Sequence, residues 1–190
     1  MFYERYPSMI PCKSQIDSAF ELLKDTFSRK NRLYLCGNGG SCADCAHIVG
    51  ELVKGFCSKR PIGNPALDSR LQGGLPAFDL TAQAGLISAF CNDVSAELIY
   101  AQQVVAYGQP GDALFCLSTS GNSKNCVEAA KAAKALGMRI ISVTGSRESA
   151  LSAISDVCVR LPETETYKVQ ELTLPLYHEL CLRLEAHFFK

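Results

Sequence analysis

The stretch LYLCGNGGSCADCAHIVGEL, residues 33–52, opens as an apolar strand, passes through a tight run of glycines and continues as a helix. Its helical part carries Cys42, Cys45, His47 and Glu51. Taken alone it is open to four readings: a phosphate cradle, a thiol site, a metal site, or a plain strand–turn–helix corner. The same strand-then-helix grammar recurs on both sides. Upstream, Ile16, Phe20, Leu23 and Phe27 fall at helical spacing and predict an amphipathic helix over 14–29. Downstream, apolar runs at 76–80, 112–118, 139–145 and 156–162 read as strands beside the one at 32–37. Helices are predicted at 41–54, 81–90, 95–107, 125–137 and 146–154, with Gly137 as a stop signal, and a closing helix at 167–189 holds Pro175. Strands that are apolar throughout are buried on both faces, so the alternation predicts an α/β fold with a mostly parallel sheet. Residues 55–74, rich in Pro, Gly and basic residues, read as a long loop of the kind that is functional or mobile.

Charge and composition narrow the ligand. Lys plus Arg equals Asp plus Glu at 19 each, so no basic field stands ready for nucleic acid, and the expected ligand is small. No basic-then-apolar leader is visible, and no apolar run approaches the roughly 18 residues of a membrane span. The expectation is a cytoplasmic protein without a membrane or nucleic-acid partner. Ten cysteines scattered through strands and helices read as small buried hydrophobes, not as a disulfide framework.

Two loops sit where a parallel sheet holds its ligands, GNGGS (37–41) and STSGNS (118–123). Hydroxyls and backbone N–H groups at a helix start bind phosphate oxygens, although the same residues also serve as ordinary helix caps. Neither loop is a dinucleotide fingerprint or a P-loop, and a hydroxyl-lined cradle suits a phosphosugar. His47 and Glu51 share one helix face, either as a metal-binding pair or as solvated or core residues. Gln170 and His178 are eight residues apart, about 12 Å along an ideal helix. They serve one site only if their side chains converge, if Pro175 bends the helix, or if the site is shared between subunits. Cys42 and Cys45 lack a redox or zinc-knuckle context and read as packing, and His187 reads as a helix-end residue. Asn92 and Asp93 either cap the following helix or face a substrate.

Together these features resemble one family. GNGGS, then Asp44, His47 and Glu51 as D-x-x-H-x-x-x-E, Asn92–Asp93, STSGNS, Val143–Thr144–Gly145, and Gln170, Glu171 and His178 resemble the phosphoheptose isomerases of the sugar isomerase (SIS) fold. The resemblance runs from about residue 14 to residue 188. It implies a three-layer α/β sandwich around a five-stranded parallel sheet, with residues 1–190 as one SIS domain. Helices 14–29 and 167–189 would pack on that domain or in an oligomer interface. It also implies a homotetramer with active sites at subunit interfaces and isomerisation of sedoheptulose 7-phosphate to a heptose 7-phosphate. By position, His47, Glu51, Gln170 and His178 would bind one zinc ion per site. Ser118, Thr119, Ser120 and Ser123 would hold the phosphate, while Asn38, Gly39, Gly40, Ser41, Asn92, Asp93 and Gln170 would line the sugar. Glu51 and His178 would move the protons of an enediol mechanism.

A non-enzymatic branch of the fold, which binds a bacterial replication initiator, lacks the glutamate and the final histidine; both are present here. Two departures point at substrate choice. The 55–75 connection is long, and ELVKGF (51–56) lacks the family's arginine, with Lys54 as its nearest substitute. Tyr167 stands where the family has an aspartate. The alternatives are therefore another ketose phosphate, or a module that binds a phosphosugar or a protein without catalysis.

Overall fold

In the computed structural model, which describes residues 2–189, strand and helix alternate as the apolar pattern predicts. A short helix α1 (Phe2–Arg5) and a 3₁₀ turn (Pro7–Cys12) lead into α2 (Lys13–Ser28), β1 (Leu33–Gly37) and α3 (Gly40–Val53). A one-turn α4 (Pro65–Asp68) precedes β2 (Ala77–Asp79), α5 (Ala84–Asp93), α6 (Ile99–Tyr107) and β3 (Ala113–Leu117). The chain ends with α7 (Lys124–Ala135), β4 (Arg139–Thr144), α8 (Ala150–Ile154), β5 (Val157–Arg160) and α9 (Thr166–Phe188). The five strands form one parallel sheet in the order β2-β1-β3-β4-β5.

Alternation along each strand builds three layers. Leu33, Leu35, Phe115, Leu117, Ile141 and Val143 join the core beneath α2, α3 and α9. Tyr34, Cys36, Leu114, Cys116 and Ile140 face the other way, toward α6, α7 and α8. Every residue of β1 and β3 is buried, which is why these strands read as unbroken apolar runs. Chain order reverses between β1 and β3, and the two strands end level, with Gly37 opposite Leu117. The GNGGS and STSGNS loops therefore leave the sheet side by side, at the point where such sheets bind ligands.

One expectation fails locally. Asp79 accepts from the Thr81 amide and opens a 3₁₀ turn, so the helix expected from 81 begins at Ala84 and runs to Asp93. Asn92 and Asp93 thus close α5 instead of opening the next helix, which Ser95 starts by capping a 3₁₀ turn into α6. Among the described residues no helix is long and apolar enough to cross a membrane.

The 55–74 stretch is tied down, not loose. The fully buried Arg60 donates through Nε to Glu185 Oε1 (2.8 Å), through Nη1 to the Leu52 carbonyl (2.6 Å) and through Nη2 to the Glu51 carbonyl (2.9 Å). A helix end leaves its last carbonyls unpaired and favours a cation, and the guanidinium meets both needs. Glu185 also accepts from the amides of Phe56 (2.7 Å) and Cys57 (2.9 Å). Burial alone would push its carboxyl up; those two amides and Arg60 outweigh burial and hold it below its ordinary range.

A depressed folded-state pKa stabilises above the unfolded value of about 4.3 and loses that contribution as pH falls through the folded value. The stability gap between wild type and Glu185→Gln, read from urea midpoints between about pH 7 and about pH 3, should narrow as pH drops. A constant gap would mean that the charge on Glu185 contributes nothing.

Candidate active site

At the end of β1 the chain turns through Gly39, whose φ of +57° is a conformation that L side chains rarely adopt, straight into α3. Ser41 is buried in the first turn, and its amide donates to the Asn38 carbonyl (3.1 Å). Asn38 and Asn125 exchange amide hydrogen bonds, 2.9 Å each way, which couples this loop to the first turn of α7. Beside it, the Ser118 and Ser123 hydroxyls meet at 2.9 Å across the STSGNS loop, while Ser120 Oγ accepts from the Asn122 amide. Ser123 precedes α7 without capping it through its side chain. Helix capping is therefore not what occupies these two hydroxyls. A cleft of about 180 Å³ opens next to them, lined by Thr119, Ser120, Asn122, Gly145, Arg147 and Thr164 among others.

The second half of the site lies between α3 and α9. A Cβ added to Gly40 would stand 2.6 Å from Gln170 Nε2, so the Gln170 amide rests on the glycine loop. Two turns further along both helices, the Tyr177 hydroxyl touches His47 Nδ1 (2.8 Å) and Asp44 Oδ1 (3.2 Å). His47 Nε2 faces Glu51 Oε1 at 3.2 Å, and Lys54 Nζ donates to Glu51 Oε2 at 3.2 Å. The His178 ring stands edge-on to His47 with centroids 5.1 Å apart, and 5.2 Å from the Phe56 ring. Its Nε2 is buried with no hydrogen-bond partner.

Two hydrogen placements meet these contacts. A phenol has one hydrogen; given to Asp44, it leaves the oxygen to accept from His47 Nδ1–H, and His47 Nε2 then presents a lone pair to the Glu51 carboxylate, two acceptors that need a proton or a cation between them; given to His47 Nδ1, it leaves Nε2–H to donate to Glu51 directly. Burial, and then His47, hold the His178 imidazole below its ordinary range against the pull of Glu51. Burial, and then Asp44, push the Tyr177 phenol up, so it stays protonated. Burial raises Asp44 as well, opposed by its bond from Tyr177. Two imidazoles and a carboxylate are donors that suit zinc, and the orphaned His178 nitrogen and, in the first placement, the facing His47–Glu51 acceptors fit a cation. As the side chains stand, no group of three or more His, Cys, Asp or Glu among the described residues is gathered to hold one.

These loops and this fold have close relatives. A family model described as "SIS domain" matches residues 12–145. The phosphoheptose isomerase of Synechocystis sp. is 34% identical over 174 residues, covering 92% of this chain and 84% of the relative. That of Shewanella loihica is 36% identical over 177 residues, with the same coverage of 92% and 84%. The chain belongs to the phosphoheptose isomerase family. Its backbone is similar to the phosphoheptose isomerase structure from Neisseria gonorrhoeae, with a TM-score of 0.81 and 29% identity, covering 97% of this chain and 95% of that one.

Of the residues singled out in the sequence, His47 stands beside both Glu51 and His178, and Gln170 lies at the glycine loop, two helical turns from His178. Asn92 and Asp93 are exposed at the end of α5; Asn92 Nδ2 donates to Asp93 Oδ1 (2.8 Å), and neither side chain bonds to the two loops. Tyr167 is exposed beneath the Lys168 ammonium. Cys42 donates to Thr81 Oγ1 (3.0 Å), Cys45 is buried with its thiol pushed up by that burial, and all ten cysteines are free thiols. Tyr177, Phe56, Arg60 and Glu185 were not anticipated. Tyr177 had one signal, its place beside His178 on a helix facing the D-x-x-H face of α3.

Tyr177→Phe removes one hydroxyl and leaves both Asp44 and His47 Nδ1 without it. The variant should lose about 1–3 kcal/mol of stability in urea titrations. An unchanged midpoint would show that the Asp44–Tyr177–His47 chain carries no net stabilisation.

Proposed function

We propose that the protein is an aldose–ketose isomerase acting on a phosphorylated ketose, with sedoheptulose 7-phosphate as the leading substrate and D-glycero-D-manno-heptose 7-phosphate as product. The observation that carries this reading is the meeting of Glu51, His47 and His178 on α3 and α9, two helical turns from a hydroxyl-lined loop pair. Ser118, Thr119, Ser120 and Ser123 bind the phosphate through hydroxyl and backbone donors, helped by the start of α7. The sugar then runs along Asn38, Gly39, Gly40 and Ser41 toward the histidines.

Isomerisation takes a proton from C1, passes through an enediol, and returns a proton to C2 while the hydroxyl proton moves from O1 to O2. It needs a base and an acid in reach of adjacent carbons and positive charge near the developing oxyanion. Glu51 and His178 are assigned the proton transfers: the first is steadied by Lys54, the second is kept neutral by its buried setting. His47, Glu51 and His178 would hold a zinc ion, whose charge would stabilise the enediolate oxygens when bound; Gln170, which the resemblance adds to this set, lies at the glycine loop two helical turns from His178 and would line the sugar.

The oligomer belongs to the same reading. Helix α5 buries none of its residues although its sequence is AGLISAFCND, and Leu86, Val94 and Leu98 are exposed on or beside it. Ile87 and Phe90 pack inward, and the apolar side left uncovered supports association of copies, in the homotetramer the resemblance implies, working in the cytoplasm. Sedimentation of the purified protein should give a mass near four times 20.6 kDa.

The deciding assay pairs metal analysis with a panel of ketose phosphates. Glu51→Gln and His178→Gln should each lower kcat by about 10²–10⁴ with the fold intact. Absence of stoichiometric zinc, together with activity retained in Glu51→Gln, would overturn the zinc isomerase. Turnover of a different ketose phosphate alone would correct the substrate and leave the isomerase standing. Binding of ketose phosphates without turnover would make the protein a binding module.

A further inference from the structure

Arg60 is a fully buried guanidinium supplied by the 55–74 connection, not by a strand or a long helix. Removing such a charge from water is costly unless geometry and partners are excellent. They are: Glu185 at 2.8 Å, the Leu52 carbonyl at 2.6 Å, the Glu51 carbonyl at 2.9 Å, and the Phe189 ring 4.8 Å from Cζ. Glu185 completes its own set with the amides of Phe56 and Cys57. One ion pair therefore joins three segments: the end of α3, the chain just beyond it, and the end of α9.

Stability alone does not account for the pair, since apolar residues of similar volume hold a core at least as well as a buried ion pair. What distinguishes it is where it grips. Arg60 holds the backbone carbonyl of Glu51 itself. Glu185 holds the backbone of Phe56, whose ring packs against His178. At Lys54 the backbone turns extended (φ −124°, ψ 174°), so α3 ends without a left-handed glycine cap, and Arg60 takes its last carbonyls instead. The same turn leaves Lys54 Nζ 3.2 Å from both Glu51 Oε2 and the Gly55 carbonyl.

We infer that Arg60 and Glu185 are positioning residues for the reaction: from behind the site, their ion pair fixes the Glu51 carboxylate and the His178 imidazole relative to each other. The inference rests on the roles given to Glu51 and His178 under the proposed function. A lysine is a poor substitute, because a single ammonium cannot present the planar fork that reaches one carboxylate and two carbonyls at once.

The test compares wild type, Arg60→Lys and the double variant R60M/E185M, which removes both charges together and so avoids a lone buried ion. Each is checked for folding by circular dichroism. In the folded double variant kcat should fall about tenfold or more while KM stays within about threefold, with Arg60→Lys between the two. The His178 ring ¹⁵N resonances should shift in the double variant while amides of β3 and β4 stay in place. A folded double variant with wild-type kcat and an unmoved His178 would overturn the inference. Wild type inactive on every ketose phosphate would defeat the functional reading, and the His178 resonances would still decide whether the pair positions that ring. Should the double variant fail to fold, Arg60→Lys with wild-type kcat and wild-type His178 resonances would overturn it as well.

Discussion

Gly37 and Leu117 end two adjacent parallel strands opposite one another, and the site depends on that register. Because β1 and β3 stop level, the loops that follow them emerge together, and the Asn38–Asn125 amide exchange locks them into one surface. The register is itself set by burial. Every residue of both strands is covered, and a slip of one residue would exchange Leu35 and Phe115 with Cys36 and Cys116 between two differently packed faces. The apolar sheet thus fixes, to within a residue, where the polar loops can stand.

Helix α3 carries that precision from the loops to the histidines. Its first turn receives the Gln170 amide at Gly40, its middle presents Asp44 and His47 to Tyr177, and its last turn holds Glu51. Helix α9 advances beside it in the same direction, so contacts two turns apart on one helix are matched two turns apart on the other. Gln170 and His178 are both beside α3 for that reason, without needing a bend at Pro175, which is buried inside a continuous helix. The Arg60–Glu185 pair closes the far end of the same two helices.

Much of the architecture was legible in the residues because burial writes itself as pattern. Apolar runs marked all five strands, and GNGGS and STSGNS marked where the sheet would open. Helix boundaries around Asn92 depart from the pattern because one side chain, Asp79, opens a 3₁₀ turn that displaces the start of α5. Tertiary polar pairs left no pattern at all. Arg60 in SKRPIG reads as a solvated loop cation, and Glu185 in RLEAHF as a surface acid on a helix. Only their separation in space, not their 125-residue separation in the chain, makes them a pair. His47 and Glu51 lie between these cases: their spacing put them on one face, but nothing local could say that His178 would meet them.

The unpartnered His178 nitrogen connects stability to function. A buried polar atom without a hydrogen bond costs about 1–3 kcal/mol, and a fold that keeps one must offset it elsewhere. Here the offset lies in the two apolar faces of the sheet, where a single fully buried aromatic such as Phe115 contributes on the same scale, about 2–3 kcal/mol. The cost falls where His178 faces His47 and Glu51, and groups held short of a partner cluster at functional sites for a physical reason. A ligand that satisfied that nitrogen would recover the cost on binding.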